Sequence, residues 1–137
     1  MVMTKEEKDV WNSFRIPGCS NIHRCKVDEI NLSTANTLKH ELMKCTYAYF
    51  LKRNKEKFLT EAEEIKTGLR RDMVSLTTGE IYEFETTPQR GIRFWNQVVN
   101  VVPVGWDEKD WRKWILLSKK ETTPRRCVLA LEDKEVD

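Results

Sequence analysis

Asp72, Glu83 and Glu85 fall in one short stretch, RRDMVSLTTGEIYEFETTPQRG at residues 70–91, with Arg70, Arg71 and Arg90 beside them. The stretch reads as a β-hairpin. Side chains alternate along a strand, so Glu83, Glu85 and Thr87 share one face and Tyr82, Phe84 and Thr86 the other. The seven residues MVSLTTG separate Asp72 from the next strand. A reversal at Thr77-Thr78-Gly79 therefore brings Asp72 near the middle of that strand. Carboxylates on adjacent strands repel each other unless a cation lies between them, and hard oxygen ligands of this kind suit Mg²⁺ or Mn²⁺.

The elements that must position these residues follow from periodicity and punctuation. TKEEKDVWNSF predicts a short helix capped by Thr4, and IPGCSNIHRC a loop. STANTLKHELMKCTYAYFLKRNKEKF predicts a long helix capped by Ser33 or Thr34. Leu38, Leu42, Cys45, Ala48 or Tyr49, and Leu51 recur in it at steps of three or four and define its apolar face. Glu41 lies near that face, where a carboxylate is costly without a partner or a metal. His40 and Glu41 point about 100° apart, so they do not face one site together. FLTEAEEIKT, DMVSL and EIYEFETT are three strands. Pro88 opens a short helix, PQRGIRFWNQ, and VVNVVPV is a buried strand. Asp107 caps a last helix, EKDWRKWILLSKK, with Trp111, Ile115 and Trp114 as its packing face. RRCVLALED suits a final strand.

The order is thus α-β-β-β-α-β and then α, an α/β class, in a chain of 137 residues that makes one domain the expectation. Its core spans about 34–104, with an N-terminal extension, 1–31, and a C-terminal helix and tail, 105–137. A net charge of +2 does not by itself announce a nucleic-acid binder, but nine Lys or Arg against five Glu between Leu38 and Arg71 give that region a basic bias. No apolar run approaches the roughly 20 residues of a membrane span. The N-terminus lacks the apolar stretch of a secretion signal. The expected compartment is the cytoplasm, with the four cysteines reduced.

An Asp, an apolar strand, a Gly turn and a second strand ending in Glu-x-Lys form the signature of the PD-(D/E)xK nuclease superfamily. Residues 34–104 resemble it in motif and in element order, most nearly the small archaeal Holliday junction resolvases and related archaeal or viral nucleases. The resemblance implies a restriction-endonuclease-like core, a central mixed sheet flanked by helices. It implies a Mg²⁺- or Mn²⁺-dependent endonuclease hydrolysing phosphodiester bonds of double-stranded or branched DNA, as a homodimer. Asp72 and Glu85 would be metal ligands, with the Thr86 carbonyl, and Glu41 a further or water-bridged one. The third motif position falls on Thr87, where the family has Lys. Lys44 is the preferred stand-in, with its substitution expected to leave folding intact; Lys66 and then Arg90 follow. Arg70, Arg71, Arg90 and Arg93 would contact flanking phosphates. The alternative is a catalytically degenerate protein that keeps the fold and binds nucleic acid or a protein partner. A third reading is an interaction domain unrelated to nucleases.

Cys19, His23 and Cys25 in CSNIHRC invite a zinc reading, but the spacing is not that of a usual knuckle, and ordinary thiols are favoured. Trp95, Trp106, Trp111, Trp114 and Phe94 crowd the C-terminal half, where core packing accounts for them better than base stacking.

Overall fold

The computed structural model describes residues 2–20, 22–88, 90 and 99–118. Helix α1 (Lys5–Asn12) starts at Thr4, whose hydroxyl accepts the Glu7 N–H while the Glu7 carboxylate accepts the Thr4 N–H, a reciprocal capping box. Strand β1 (Phe14–Arg15) follows, then helix α2 (Leu38–Arg53), β2 (Phe58–Glu64), β3 (Arg70–Ser75), β4 (Ile81–Glu85), β5 (Asn100–Pro103) and helix α3 (Glu108–Ser118). The strands make one mixed sheet in the order β1-β2-β3-β4-β5. The first three pairings are antiparallel, and β4 and β5 run parallel. Gly79 makes the β3–β4 reversal at φ +77°, a conformation that costs glycine little. The expected helix after Pro88 falls largely on residues outside the described set, as do the expected strand RRCVLALED, Phe94 and Trp95.

Helix α2 packs on one face of the sheet. Tyr47, Ala48 and Leu51 bury against Phe58, Met73, Tyr82, Phe84, Val102 and Val104. On the other face Phe14 and Cys25 join Leu59, Ala62, Val74 and Leu76, with Val10 and Trp11 of α1 against them. Trp114 of α3 packs there on Val99 and Val101.

Four expectations are corrected. The α2 cap is Thr37, whose hydroxyl accepts the His40 N–H, because residues 34–36 form a turn before the helix begins. The two-residue strand β1 was not expected, being too short to show a pattern. In α3, Trp114 is the buried residue and Ile115 is half exposed. The fourth correction bears most on function. Leu38, Leu42 and Tyr49 do not form the buried face of α2; they are 74%, 56% and 62% exposed. The buried face is His40, Glu41, Lys44, Tyr47, Ala48, Phe50 and Leu51. Both His40-Lys44-Tyr47-Leu51 and Leu38-Leu42-Cys45-Tyr49 satisfy helical spacing. Lys44 satisfies its charge inside, so the more apolar stripe is left outside.

Candidate functional site

β3 and β4 pair regularly only at Val74–Ile81 and Met73–Tyr82. Beyond Met73, side chains replace the ladder. The Asp72 N–H donates to Glu83 Oε1 at 2.8 Å, and the Phe84 N–H donates to Asp72 Oδ2 at 2.8 Å. Across β3, Glu61 of β2 has φ +49°, a left-handed conformation that is costly for a residue with a side chain. Leu59 and Ala62 both pack on the α1 side although they are three apart, so the alternation breaks at Glu61. Backbone strain and lost ladder bonds thus meet around the carboxylates.

Asp72 Oδ2 also lies 3.1 Å from His40 Nε2, across from α2. His40 Nδ1 lies 3.0 Å from Glu41 Oε1. The residues expected to diverge therefore work in series: His40 points at Asp72, and Glu41 holds its ring from behind. Burial disfavours the charged imidazole, but the bonds and charges of Asp72 and Glu41 outweigh it, and the His40 pKa is raised.

A cavity of about 250 Å³ opens here, lined by Asn36, Thr37, His40, Asp72, Phe84, Glu85, Thr86 and Arg90. It lies where the parallel strand β4 ends at its carboxyl side, the usual place for a ligand in an open α/β sheet. Two bonds fix that strand end: the Glu85 carbonyl accepts the Val104 N–H at 2.9 Å and the Trp106 indole N–H at 2.9 Å. Asp72 and Glu85 are thus on neighbouring antiparallel strands and line one cavity. Glu83 is buried beneath them. Burial first, then repulsion from Asp72 and from Glu85, pushes its pKa well above the usual carboxylate range, against the Asp72 N–H and the Arg71 charge.

The remaining expected residues lie elsewhere. Glu41 Oε2 takes the Lys44 ammonium at 2.8 Å, and its oxygens accept the Asn36 amide and the Ser33 N–H. Those partners outweigh burial and lower its pKa. Lys44 has 0% exposure, and its ammonium also reaches Glu61 Oε2 at 3.0 Å and the Asn31 carbonyl at 3.0 Å. It does not line the cavity, and its substitution cannot leave folding intact, because two buried carboxylates depend on it. Thr87 is exposed, its hydroxyl accepting the Arg90 N–H. Lys66 is exposed in the turn after β2. Arg71 is buried, with its guanidinium on Glu64 at 3.1 Å, so it is not presented to a phosphate backbone. Arg70 is exposed and lines a separate cavity of about 540 Å³ with Glu61, Ile16, Pro17 and Cys25. Arg93 lies outside the described residues. Of the four arginines, Arg90 is the one that reaches the Asp72 cavity among the described residues.

His40 is the residue that sequence reasoning missed. Its signal was its position one face away from Leu38 and Leu42, in register with Tyr47, Ala48 and Leu51. Among the described residues no group of three or more His, Cys, Asp or Glu side chains is arrayed to hold a metal ion. The residue types around the cavity, an imidazole and carboxylates, are those of a divalent-cation site. Here His40 and Asp72 hold each other across the cavity. Cys25 is a buried thiol whose pKa burial raises, and His23 Nδ1 meets Ser20 at 2.8 Å. No helix among the described residues is long and apolar enough to cross a membrane. Scans against protein-family models, curated proteins and solved structures give no match, so the functional reading rests on this geometry.

Proposed function

We propose that this protein is a metal-dependent endonuclease hydrolysing DNA phosphodiester bonds on a restriction-endonuclease-like core. The observation that carries the reading is the convergence of His40, Asp72, Glu85, Thr86 and Arg90 on one cavity at the end of β4. The order α2-β2-β3-β4-β5, with β4 and β5 parallel, agrees with it.

Asp72, Glu85 and the Thr86 carbonyl, which line the cavity, would hold the cation, and His40 would position Asp72 through its 3.1 Å contact. A bound divalent ion supplies Lewis-acid polarisation of a phosphate and lowers the pKa of water. The protein's own residues do the rest. Glu41 orients the His40 ring through Nδ1, which leaves Nε2 directed at Asp72. Arg90 brings positive charge to the cavity, where it meets a phosphate and takes the place of the family's lysine. The N-terminal end of α2, through its cap Thr37 and the preceding Asn36, lines the same cavity and adds the positive end of the helix dipole. Asp72 and Glu85, without a cation, repel the same phosphate, which makes productive binding dependent on the ion.

The test is incubation of the protein with plasmid and four-way-junction DNA in Mg²⁺, Mn²⁺ or EDTA. Cleavage that requires the ion and is lost in Asp72→Asn supports the proposal. DNA left intact under every ion rejects it in favour of the degenerate binding protein. That second reading draws on the burial of Lys44 and the uncharged Thr87.

A further inference from the structure

Glu61 and Asp72 occupy the same irregular place on neighbouring strands. Thr60 pairs with Met73 and Ala62 with Arg71, which leaves Glu61 and Asp72 opposite each other between them. Residues directly across a sheet share a face. Leu59 and Val74 pair on the α1 side, so alternation assigns Glu61 and Asp72 to that side as well. Both side chains turn the other way. Glu61 reaches Lys44 of α2 at 3.0 Å, and Asp72 reaches His40 of α2 at 3.1 Å. Met73 also packs on the α2 side, so two consecutive residues of β3 face α2 together.

The contacts on α2 join these two residues. Glu61 Oε2 takes the Lys44 ammonium, which also meets Glu41 Oε2 at 2.8 Å. Glu41 Oε1 meets His40 Nδ1 at 3.0 Å, and His40 Nε2 meets Asp72. The path starts on β2, runs along the buried side of α2 and ends on β3, where positions 61 and 72 close it across the sheet. His40, Glu41, Lys44 and Glu61 are all buried, and His40 and Asp72 line the cavity at the end of β4.

The backbone cost falls on Glu61, at φ +49°. Backbone conformation alone selects Gly or Asn at such a position. Charge balance does not call for Glu there either, since Lys44 already has Glu41 and the Asn31 carbonyl. What the strained residue adds is an anchor on the sheet. It ties Lys44, and through Glu41 the His40 ring, to the strand position that faces Asp72.

We propose that Glu61 is a positioning residue for Asp72, holding it toward α2 and the cavity through Lys44, Glu41 and His40. The bearing of this role on catalysis rests on the cation reading of the cavity; the placement of Asp72 does not. Amide hydrogen exchange by NMR provides the test. The Asp72 N–H donates to Glu83 and the Phe84 N–H to Asp72 Oδ2, so these two amides report the placement. The Ser75 and Leu76 amides, bonded to the Glu80 and Lys57 carbonyls, report the sheet itself. Glu61→Val gives up the Lys44 contact and resists a left-handed backbone. It should quicken exchange at Asp72 and Phe84 by about tenfold or more relative to Ser75 and Leu76. Glu61→Gln keeps an oxygen for Lys44 and should stay near wild type. If Glu61→Val does not fold, Glu61→Gly carries the test, because it accepts φ +49° and lacks the contact; the same selective rise is expected. A rise shared equally by all four amides, or none at Asp72 and Phe84, overturns the proposal and leaves Glu61 as a charge partner of Lys44. Mn²⁺ affinity, read from the electron paramagnetic resonance of the free ion, should fall by about tenfold in the same variant. An affinity equal to that of a wild type that binds Mn²⁺ overturns the proposal as well. A wild type that binds no Mn²⁺ counts against the cation reading, and the exchange rates then decide the role of Glu61 by themselves.

Discussion

Two clusters of buried charge share helix α2, and they are built on opposite terms. In Glu41–Lys44–Glu61, each carboxylate meets the same ammonium, and Asn36, Ser33 and the Asn31 carbonyl fill out the hydrogen bonding. In Asp72–Glu83–Glu85, the carboxylates lie close enough that Asp72 and Glu85 repel Glu83, which responds with a raised pKa. His40 joins the two, bonded to Glu41 on one side and Asp72 on the other. A balanced cluster holds a helix to a sheet and specifies which face goes inward. Carboxylates crowded beside a cavity retain mutual repulsion, and perturbed groups of that kind concentrate at functional sites.

The sharpest way to break the comparison is to remove the balance. Lys44→Met should cost about 3–5 kcal/mol, because Glu41 and Glu61 lose their cation while buried. Urea denaturation measures it. Adding Glu41→Gln and Glu61→Gln should recover most of the loss. If Lys44→Met alone is neutral, the cluster is not what fixes α2.

Asp72→Asn acts on the other cluster. If the proposed function holds, ion-dependent cleavage should fall by at least about 100-fold, as expected for losing a group that stabilises the transition state. DNA affinity, measured by fluorescence anisotropy, should be unchanged or higher, since a negative charge is gone. Equal loss of cleavage and binding would point to damage to the fold.

pH separates the clusters more gently. Glu83 has a raised folded pKa, so its burial costs stability as pH rises above about 4.5, its ordinary value. His40 also has a raised folded pKa. Its bonds contribute stability fully below 6.5, and that contribution is lost as pH rises through the folded value. Glu41 has a lowered pKa, so its contribution is present above 4.5 and is lost as pH falls through its folded value. Glu83→Gln keeps an oxygen to accept the Asp72 N–H and should raise Tm by a few degrees at pH 7, with the gain disappearing near pH 4. A Tm lowered at pH 7, with the loss shrinking near pH 4, would show that the Glu83 charge is matched after all.

The smallest effect belongs to Thr87→Ala. Thr87 is exposed and bonds only the nearby Arg90 N–H among the contacts described, so stability should change by less than about 0.5 kcal/mol. Cleavage, if present, should be nearly unchanged, whereas Arg90→Ala should depress it strongly.

The sequence by itself determined what depends on near neighbours. The Thr4 and Asp107 caps, the Gly79 reversal and the strands around Ala62, Val74, Phe84 and Val102 are local, and they appear within a few residues of where spacing puts them. That Asp72 and Glu85 would lie on adjacent strands was also legible, because a tight turn fixes which residues meet. Only the tertiary structure decided which stripe of α2 faces the sheet. Two stripes had helical spacing, and the choice depended on Glu61, on another element, supplying the second carboxylate for Lys44. Once that face turned inward, His40 met Asp72, 32 positions away in the chain, and Leu38, Leu42 and Tyr49 turned out to solvent. A helix pattern records which residues share a face, but the free energy of burying that face belongs to the surface it meets.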